Sequence, residues 1–339
     1  MLSLLLGDLH FQNPAYNFAT DKALSEIFKK QIWPLVWDRG IERIIQLGDF
    51  THDKKQINKN TAQIIQECFI EPIKEFPDLE VILICGNHDA YFRNTNSINS
   101  LKTLFSNTNF KIVDTQALYD GKVIYIPWGL PATSTSASTR FAFMHAEVKG
   151  FEYQKGIVAK TGFDLEKDLN YYDKVFAGHF HKKSQQKNFM YLGSLLALNF
   201  GEVDSEHGFG IFDDETGKFE FIKTEVEVFK KLVYPNDVQK FEGYDFSNKA
   251  ISIVVKEKQD EDKYNDFLKK IYEQKPIDVK ILSIESELKN VMEIDAVEGI
   301  ENVLALSKKY IEGMELKEPL QNNILYKTFE KVYEEAITT

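Results

Sequence analysis

The feature that most constrains this chain is Gly86-Asn87-His88-Asp89, which follows directly on the apolar run Val81-Ile82-Leu83-Ile84-Cys85. A β-branched run that stops at a glycine reads as a buried strand whose polar residues emerge at its carboxyl end. In open α/β sheets that end is where ligands bind. An amide, an imidazole and a carboxylate on successive residues is an unusual way to end a strand unless something polar is held there. Four further strand ends in the chain carry His or Asp: Asp8-Leu9-His10, Gly48-Asp49, His145 and Gly178-His179-Phe180-His181.

Bulk properties bound the reading. With 339 residues, 43% of them hydrophobic, the chain is long enough for two or three domains and a sizeable core. No run of about 18 apolar residues is present, so no membrane span is expected. Met1-Leu2-Ser3-Leu4-Leu5-Leu6 lacks a basic region and a cleavage site and reads as the first strand. Cys68 and Cys85 fall on an apparent helix and a buried strand without metal or disulfide spacing, as in a reduced cytoplasmic protein. The net charge of −11 argues against unaided, non-specific nucleic-acid binding, which needs clustered Lys and Arg.

Along the chain, strands are expected at Leu2–Leu6, Ile41–Leu47 and Val81–Cys85. Helices are expected at Asp21–Asp38, capped by Asp21 and closed by Gly40, at Ile57–Phe76 and at Ser97–Phe105. Shorter strands follow at Phe110–Val113, Lys122–Ile126, Phe141–Met144, Lys174–Ala177, Met190–Leu192, Gly208–Asp213 and Lys218–Thr224, with a Ser/Thr-rich loop at 132–139. Residues 1–224 read as one α/β unit. A strand at Ala250–Lys256, a helix at Asp262–Gln274 and a strand at Ile277–Ile284 predict a small α/β cap over 225–285. Residues 286–297 read as linker. Residues 298–339 read as two amphipathic helices around a break at Glu315–Pro319, suited either to a partner or to docking on the main domain.

Seven residues at strand ends stand out: Asp8, His10, Asp49, Asn87, His145, His179 and His181. Oxygen and imidazole donors without thiolate suit manganese, magnesium, iron or zinc, and the mixture leans towards six-coordinate divalent ions. Asp49, between an Asp-His pair and an Asn-His pair, is the natural bridging carboxylate. Taken singly, each His is more often a hydrogen-bonded structural residue. Six of the seven histidines, however, fall beside strand ends or in these motifs, and chance is a poor account of that.

The order D-x-H, G-D, G-N-H-D, His, G-H-x-H resembles the calcineurin-like metallophosphoesterase superfamily, with no motif missing between residues 7 and 181. The resemblance implies a two-sheet metallophosphoesterase sandwich flanked by helices. It implies one ion on Asp8, His10, Asp49 and His181, and a second on Asp49, Asn87, His145 and His179. Manganese is the expected metal, with magnesium the alternative. Two such ions lower the pKa of a bridging water and clamp phosphate oxygens. His88 is implied to protonate the leaving group or stabilise the transition state, a task an imidazole suits. His52 matches a second active-site histidine that contacts phosphate or orients His88; an exposed loop His is the plain alternative. His207 has no motif partner and reads as structural.

No arginine stands just before Gly86, which disfavours a monoester dianion as substrate. The small cap, the terminal helices, Pro127-Trp128, Gly193-Ser194 and Asn199-Phe200-Gly201-Glu202 are similar to the SbcD-like nuclease subunits of double-strand-break-processing complexes, including those of T-even-type phages. That branch implies endonucleolytic cutting of single-stranded DNA, exonucleolytic degradation of duplex ends, and roles in recombination, replication and repair. It implies an SMC-like ATPase partner held through residues 298–337, and a homodimer through roughly 57–75 and 91–106. DNA contacts are expected at Lys182, Lys183 and Arg93, with Lys54, Lys55, Lys59 and Lys187 nearby and with Tyr91 and Phe92 as stacking or core residues. Two other readings stand beside this one: a phosphatase or small-molecule phosphodiesterase of the same superfamily, and a non-catalytic scaffold bridging DNA ends.

Overall fold

The computed structural model describes residues 1–132, 139–154, 156–238, 243–256 and 260–283, together with Lys327. It divides into two compact units. One comprises Met1–Lys231, Tyr244–Ser252 and Leu268–Val279; the other comprises Leu232–Gly243, Ile253–Phe267 and Lys280–Thr339.

The first strands in chain order are β1 (Leu2–Leu6), β2 (Arg43–Gln46), β3 (Glu80–Ile84), β4 (Lys111–Val113), β5 (Leu118–Asp120), β6 (Val123–Ile126) and β7 (Phe141–His145). A short hairpin of β8 (Glu152–Gln154) and β9 (Ile157–Val158) follows, then β10 (Lys174–Gly178), β11 (Ser184–Gln186), β12 (Phe189–Tyr191), β13 (Gly208–Asp213) and β14 (Lys218–Lys223). Two six-stranded sheets result, ordered β14-β13-β1-β2-β3-β4 and β11-β12-β10-β7-β6-β5. β1 to β4 run parallel to one another, as do β6, β7, β10 and β12, while β5, β11, β13 and β14 pair antiparallel.

Strands buried on both faces read as continuous apolar runs, because each face packs against something. The alternation shows it. Leu5, Ile45, Ile82 and Ile84 meet Tyr125, Phe141, Phe143 and Phe176 between the sheets. Their neighbours Leu4, Leu6, Ile44, Val81 and Leu83 pack under the helices on the outer face. Ala142, Met144, Val175 and Ala177 pack on the outer face of the second sheet. This α/β sandwich is the architecture expected from the sequence.

The helices differ in detail. Two helical segments cover the first sheet: α1 (Asn17–Ile27) runs through a π turn at Phe28–Ile32 into α2 (Trp33–Arg39), and α3 (Lys59–Ile65) runs through a π turn at Gln66–Ile70 into α4 (Glu71–Ile73). Each π turn inserts one residue, which lets bulky side chains meet: Phe28 packs on Phe69 with ring centroids 5.5 Å apart, and the Trp33 indole N–H donates to the Cys68 carbonyl at 2.7 Å. Asp21 is not the cap of the first helix. It lies inside α1, buried, where its carboxylate accepts the Gln12 N–H at 2.8 Å and the Thr61 hydroxyl at 2.5 Å. Gly40 does close that helix, in the left-handed region at φ 61°. The later helix is shorter than expected, α5 (Ser100–Leu104), with the Asn99 side chain accepting the Lys102 N–H. A one-turn helix, α6 (Leu165–Asp168), precedes β10.

After residue 224 a three-stranded sheet forms in the order β15 (Phe229–Tyr234), β16 (Ala250–Val255), β17 (Asp278–Ser283), with α7 (Glu261–Glu273) between the last two in sequence. Tyr234 packs its ring on Tyr264 and Phe267, at 4.9 and 5.4 Å. The linker at 286–297 and the helix pair of 298–339 lie outside the described residues, apart from the single residue Lys327. Among the described residues no helix is long and apolar enough to cross a membrane.

Candidate metal centre

Parallel strands deliver their carboxyl ends to one edge, so the residues that follow β1, β2, β3, β7 and β10 converge. Tight glycine packing lets them approach. A Cβ on Gly86 would stand 2.2 Å from Asp49 Oδ1, and one on Gly48, whose φ is +97°, would stand 2.2 Å from His145 Nδ1. Asp8, His10, Asp49 and His145 are buried, and His10, Asp49 and His179 hold positive φ, the local strain common at functional sites.

Two groups form around Asp49. On one side His145 Nδ1 donates to the Leu47 carbonyl at 2.8 Å, since a carbonyl can only accept. A neutral His145 therefore presents the lone pair of Nε2, 2.9 Å from Asn87 Oδ1 and 3.4 Å from Asp49 Oδ2. His179 Nδ1 lies 3.0 Å from the same Asn87 oxygen. Several acceptor atoms thus converge and need a cation, a proton or a metal ion, between them. On the other side His10 Nε2 is buried without a hydrogen-bond partner, 3.6 Å from Asp49 Oδ2. Asp8, His10 and His181 bring ligand atoms within 4.8 Å of one another, as do Asp49, His145 and His179. Asp49 Oδ2 therefore faces both groups while Asp49 Oδ1 accepts the His88 N–H at 2.7 Å.

The electrostatics show how closely these groups are coupled. Burial pushes Asp8 up to about 6, against the pull of His145 and His181. Burial would raise Asp49 too, but His145, His88 and His10 hold it well below the carboxylate range. Burial disfavours charge on His145, yet Asp49 and Asp8 raise it to about 9; Glu202 and Asp8 likewise outweigh burial and raise His181 to about 9. Burial and neighbouring imidazoles lower His179 to about 3, His52 to about 4, and His10 well below its ordinary value. The orphaned His10 nitrogen, the converging acceptors and a donor set without thiolate fit hard or borderline divalent ions. Cys68 and Cys85 are buried, free and outside the set.

A shell of hydrogen bonds holds these groups. His181 Nδ1 meets Glu202 Oε1 at 2.9 Å, and burial of Glu202 is outweighed by His181, which keeps its carboxyl low. The Asp8 carboxylate accepts the His179 backbone N–H at 2.9 Å. Asp89 ties the Gly86 loop to the Asp49 loop, accepting from the N–H groups of Gly86, Phe50 and Thr51. His88 Nδ1 donates to the His52 carbonyl at 2.8 Å, and the His88 ring lies 4.7 Å from that of His52. His207 bonds Ser194 and the Glu202 carbonyl, a structural place.

The basic residues are less concentrated. Lys182 pairs with Glu152 at 3.8 Å, and Lys183 pairs with Glu206 at 2.7 Å while lying 4.0 Å over the Phe221 ring. Arg93 is exposed. Lys54 is half-buried, and burial, with Arg93 adding to it and Asp49 opposing, lowers its pKa. Tyr91 and Phe92 are exposed at 45% each and pack on one another, so they are not core residues. Glu202 and Trp128, whose indole lies 4.7 Å from the His179 ring, stand in sequence motifs that assign them no role, and only the fold brings them to the site.

A model of the calcineurin-like phosphoesterase family matches residues 1–183. The chain belongs to that family. Beyond the matched domain, this phosphoesterase is 30% identical over 292 residues to Exonuclease subunit 1 of Enterobacteria phage T4, across 81% of this chain and 82% of that protein. Among solved structures it is similar to an archaeal phosphodiesterase at 16% identity and a TM-score of 0.33, covering 66% of this chain and 100% of that one. It is also similar to the Pseudomonas putida nuclease MPE at 20% identity and a TM-score of 0.27, covering 41% and 59%.

Proposed function

We propose that this phosphoesterase is a two-metal DNA phosphodiesterase, an endonuclease on single strands and an exonuclease on duplex ends. It acts as the nuclease subunit of an SMC-like ATPase complex in recombination, replication and double-strand-break repair. The observation that carries the DNA reading is the length of the likeness to Exonuclease subunit 1: 292 residues, well beyond the 183 of the phosphoesterase match.

Asp8, His10, Asp49 and His181 would hold one ion and Asp49, Asn87, His145 and His179 the other, with manganese the expected metal and magnesium the alternative. When bound, the ions supply an activated water and neutralise charge on the phosphate oxygens. His88 does the proton work. Its Nδ1 proton is committed to the His52 carbonyl, so Nε2 is the nitrogen that can give a proton to the leaving oxygen. Asp49 Oδ1 holds the His88 backbone, which fixes that imidazole relative to the carboxylate between the two groups. Lys182, Lys183 and Arg93 would position phosphates. Homodimerisation through 57–75 and 91–106 is supported by the exposed Tyr91, Phe92 and Ile98 in the second stretch. Residues 298–337 would bind the ATPase.

The test is cleavage by the purified chain, with added manganese, of end-labelled DNA beside a small aryl phosphodiester and a phosphomonoester. DNA cleavage suppressed by chelation supports the proposal. Turnover of a small ester with intact DNA replaces it with a phosphatase or small-molecule phosphodiesterase, and no hydrolysis of any substrate leaves a scaffold.

A further inference from the structure

Three of the four candidate ligand imidazoles have their other nitrogen fixed by a hydrogen bond. His145 Nδ1 is held by the Leu47 carbonyl, His181 Nδ1 by Glu202, and His10 Nδ1 by His52. Such outer contacts fix ring orientation and contribute to metal affinity. His179 differs. Its Nδ1 points to Asn87 Oδ1, and among the described residues its Nε2 has no hydrogen-bond partner. Two aromatic rings lie against it instead: its chain neighbour Phe180, stacked at 5.1 Å and 30°, and Trp128, with centroids 4.7 Å apart and planes tilted by 38°; the same indole meets His145 edge-on at 5.8 Å.

Trp128 is itself anchored. Its backbone N–H donates to the Cys85 carbonyl at 2.9 Å, one residue before Gly86-Asn87, and its carbonyl accepts the Asn96 side-chain amide at 2.7 Å. Asn96 is buried and also bonds the Asp114 carbonyl at 3.0 Å. The Trp128 backbone is thus clamped to the strand end that delivers Asn87, which ties the origin of its side chain to the atoms His179 must meet.

We infer that Trp128 is the positioning residue of His179, its ring face replacing the missing hydrogen bond, and that it sets the affinity of the ion shared by Asp49, Asn87, His145 and His179. The contact belongs to the aromatic face and not to a polar atom, so another flat ring at this position serves where a methyl group does not. The inference rests on the two-ion reading of the site and not on the choice of DNA as substrate.

The experiment counts manganese bound by the full chain in equilibrium dialysis, for wild type, Trp128→Ala and Trp128→Phe, with indole fluorescence followed in the same titrations. Expected are two ions on wild type and on Trp128→Phe, and an affinity for one of the two that falls about ten- to hundredfold in Trp128→Ala. Manganese should quench a part of the wild-type emission that Trp128→Phe lacks, since Trp33 and Trp37 lie on the helical layer of the first sheet. Two ions at wild-type affinity on Trp128→Ala, or a loss in Trp128→Phe equal to that in Trp128→Ala, overturns the inference. If Trp128→Ala does not fold, Trp128→Phe decides through its affinity and the missing quench. A wild-type chain that binds no manganese is a distinct failure, that of the two-ion reading itself.

Discussion

The Nδ1 atoms of His10 and His52 lie 3.1 Å apart, and this contact ties the tautomer of one imidazole to that of the other. For His10 Nε2 to turn a lone pair towards Asp49, its proton must sit on Nδ1 and be donated to His52 Nδ1. The backbone carbonyl of His52 in turn accepts from His88 Nδ1. One residue therefore sets the tautomer of a candidate ligand through its side chain and that of the candidate acid through its main chain.

His52→Ala should accordingly weaken manganese at the Asp8, His10 and His181 group by about ten- to hundredfold, while the main-chain bond to His88 survives. Calorimetric titration with manganese checks it. Two ions binding as in wild type would reduce His52 to a phosphate contact or a bystander.

His88→Ala should retain both ions and lose turnover by about a hundred- to ten-thousandfold, the usual contribution of a placed acid. Its hold on Asp49 comes from the backbone, which the substitution leaves in place. Measured kcat beside metal stoichiometry separates the two effects; a variant that cleaves normally has no acid at this position.

Manganese loading should release protons. His145 and His181 are raised to about 9, so both carry protons near neutrality until an ion displaces them. Affinity should therefore rise with pH from about 7 towards 9 and level off above that range, where the imidazoles are already neutral. Calorimetry in buffers of different ionisation enthalpy reads the release directly. A proton count of zero at neutral pH contradicts the assignment.

In the pairs Lys182–Glu152 and Lys183–Glu206, Lys182 and Glu206 are exposed and Lys183 is half-buried; ion pairs open to solvent in this way contribute little to stability, so phosphate can compete for both cations. Reversing both charges should weaken DNA binding and flatten the slope of log affinity against log salt by about 0.9 for each phosphate no longer neutralised. An unchanged slope removes these lysines from the interface. For the partner segment, removing residues 298–339 should abolish co-purification with the ATPase and spare manganese-dependent cleavage; persistent co-purification would place the contact elsewhere.

What the sequence made legible follows from strand length and spacing. Val81–Cys85 is a five-residue apolar run stopped by glycine, and this strand together with those at Leu2–Leu6, Ile41–Leu47, Phe141–Met144 and Lys174–Ala177 delivered Asn87, Asp8, Asp49, His145 and His179 to one edge. Leu118–Asp120 and Ser184–Gln186, three residues each, are too short to show a period of two, and Phe229–Tyr234 is interrupted by two lysines. Asp21 stands before an apolar-periodic run as a cap would, but Gln12 and Thr61 draw its carboxylate into the interior, a choice only tertiary contacts make. The π turns are equally silent, since one inserted residue leaves the apolar spacing almost unchanged. Glu202 follows His181 by 21 residues, so no local pattern links the acid to the imidazole it holds.

The most direct test of the central claim counts bound manganese and DNA cleavage on the same samples of wild type and Asp49→Asn. Asp49 Oδ2 faces both ligand groups, at 3.6 Å from His10 and 3.4 Å from His145. Cleavage should therefore appear only as the second equivalent binds, and Asp49→Asn should weaken both ions and abolish cleavage together. Full DNA cleavage by chelated protein, or by a chain holding a single ion, would contradict the account.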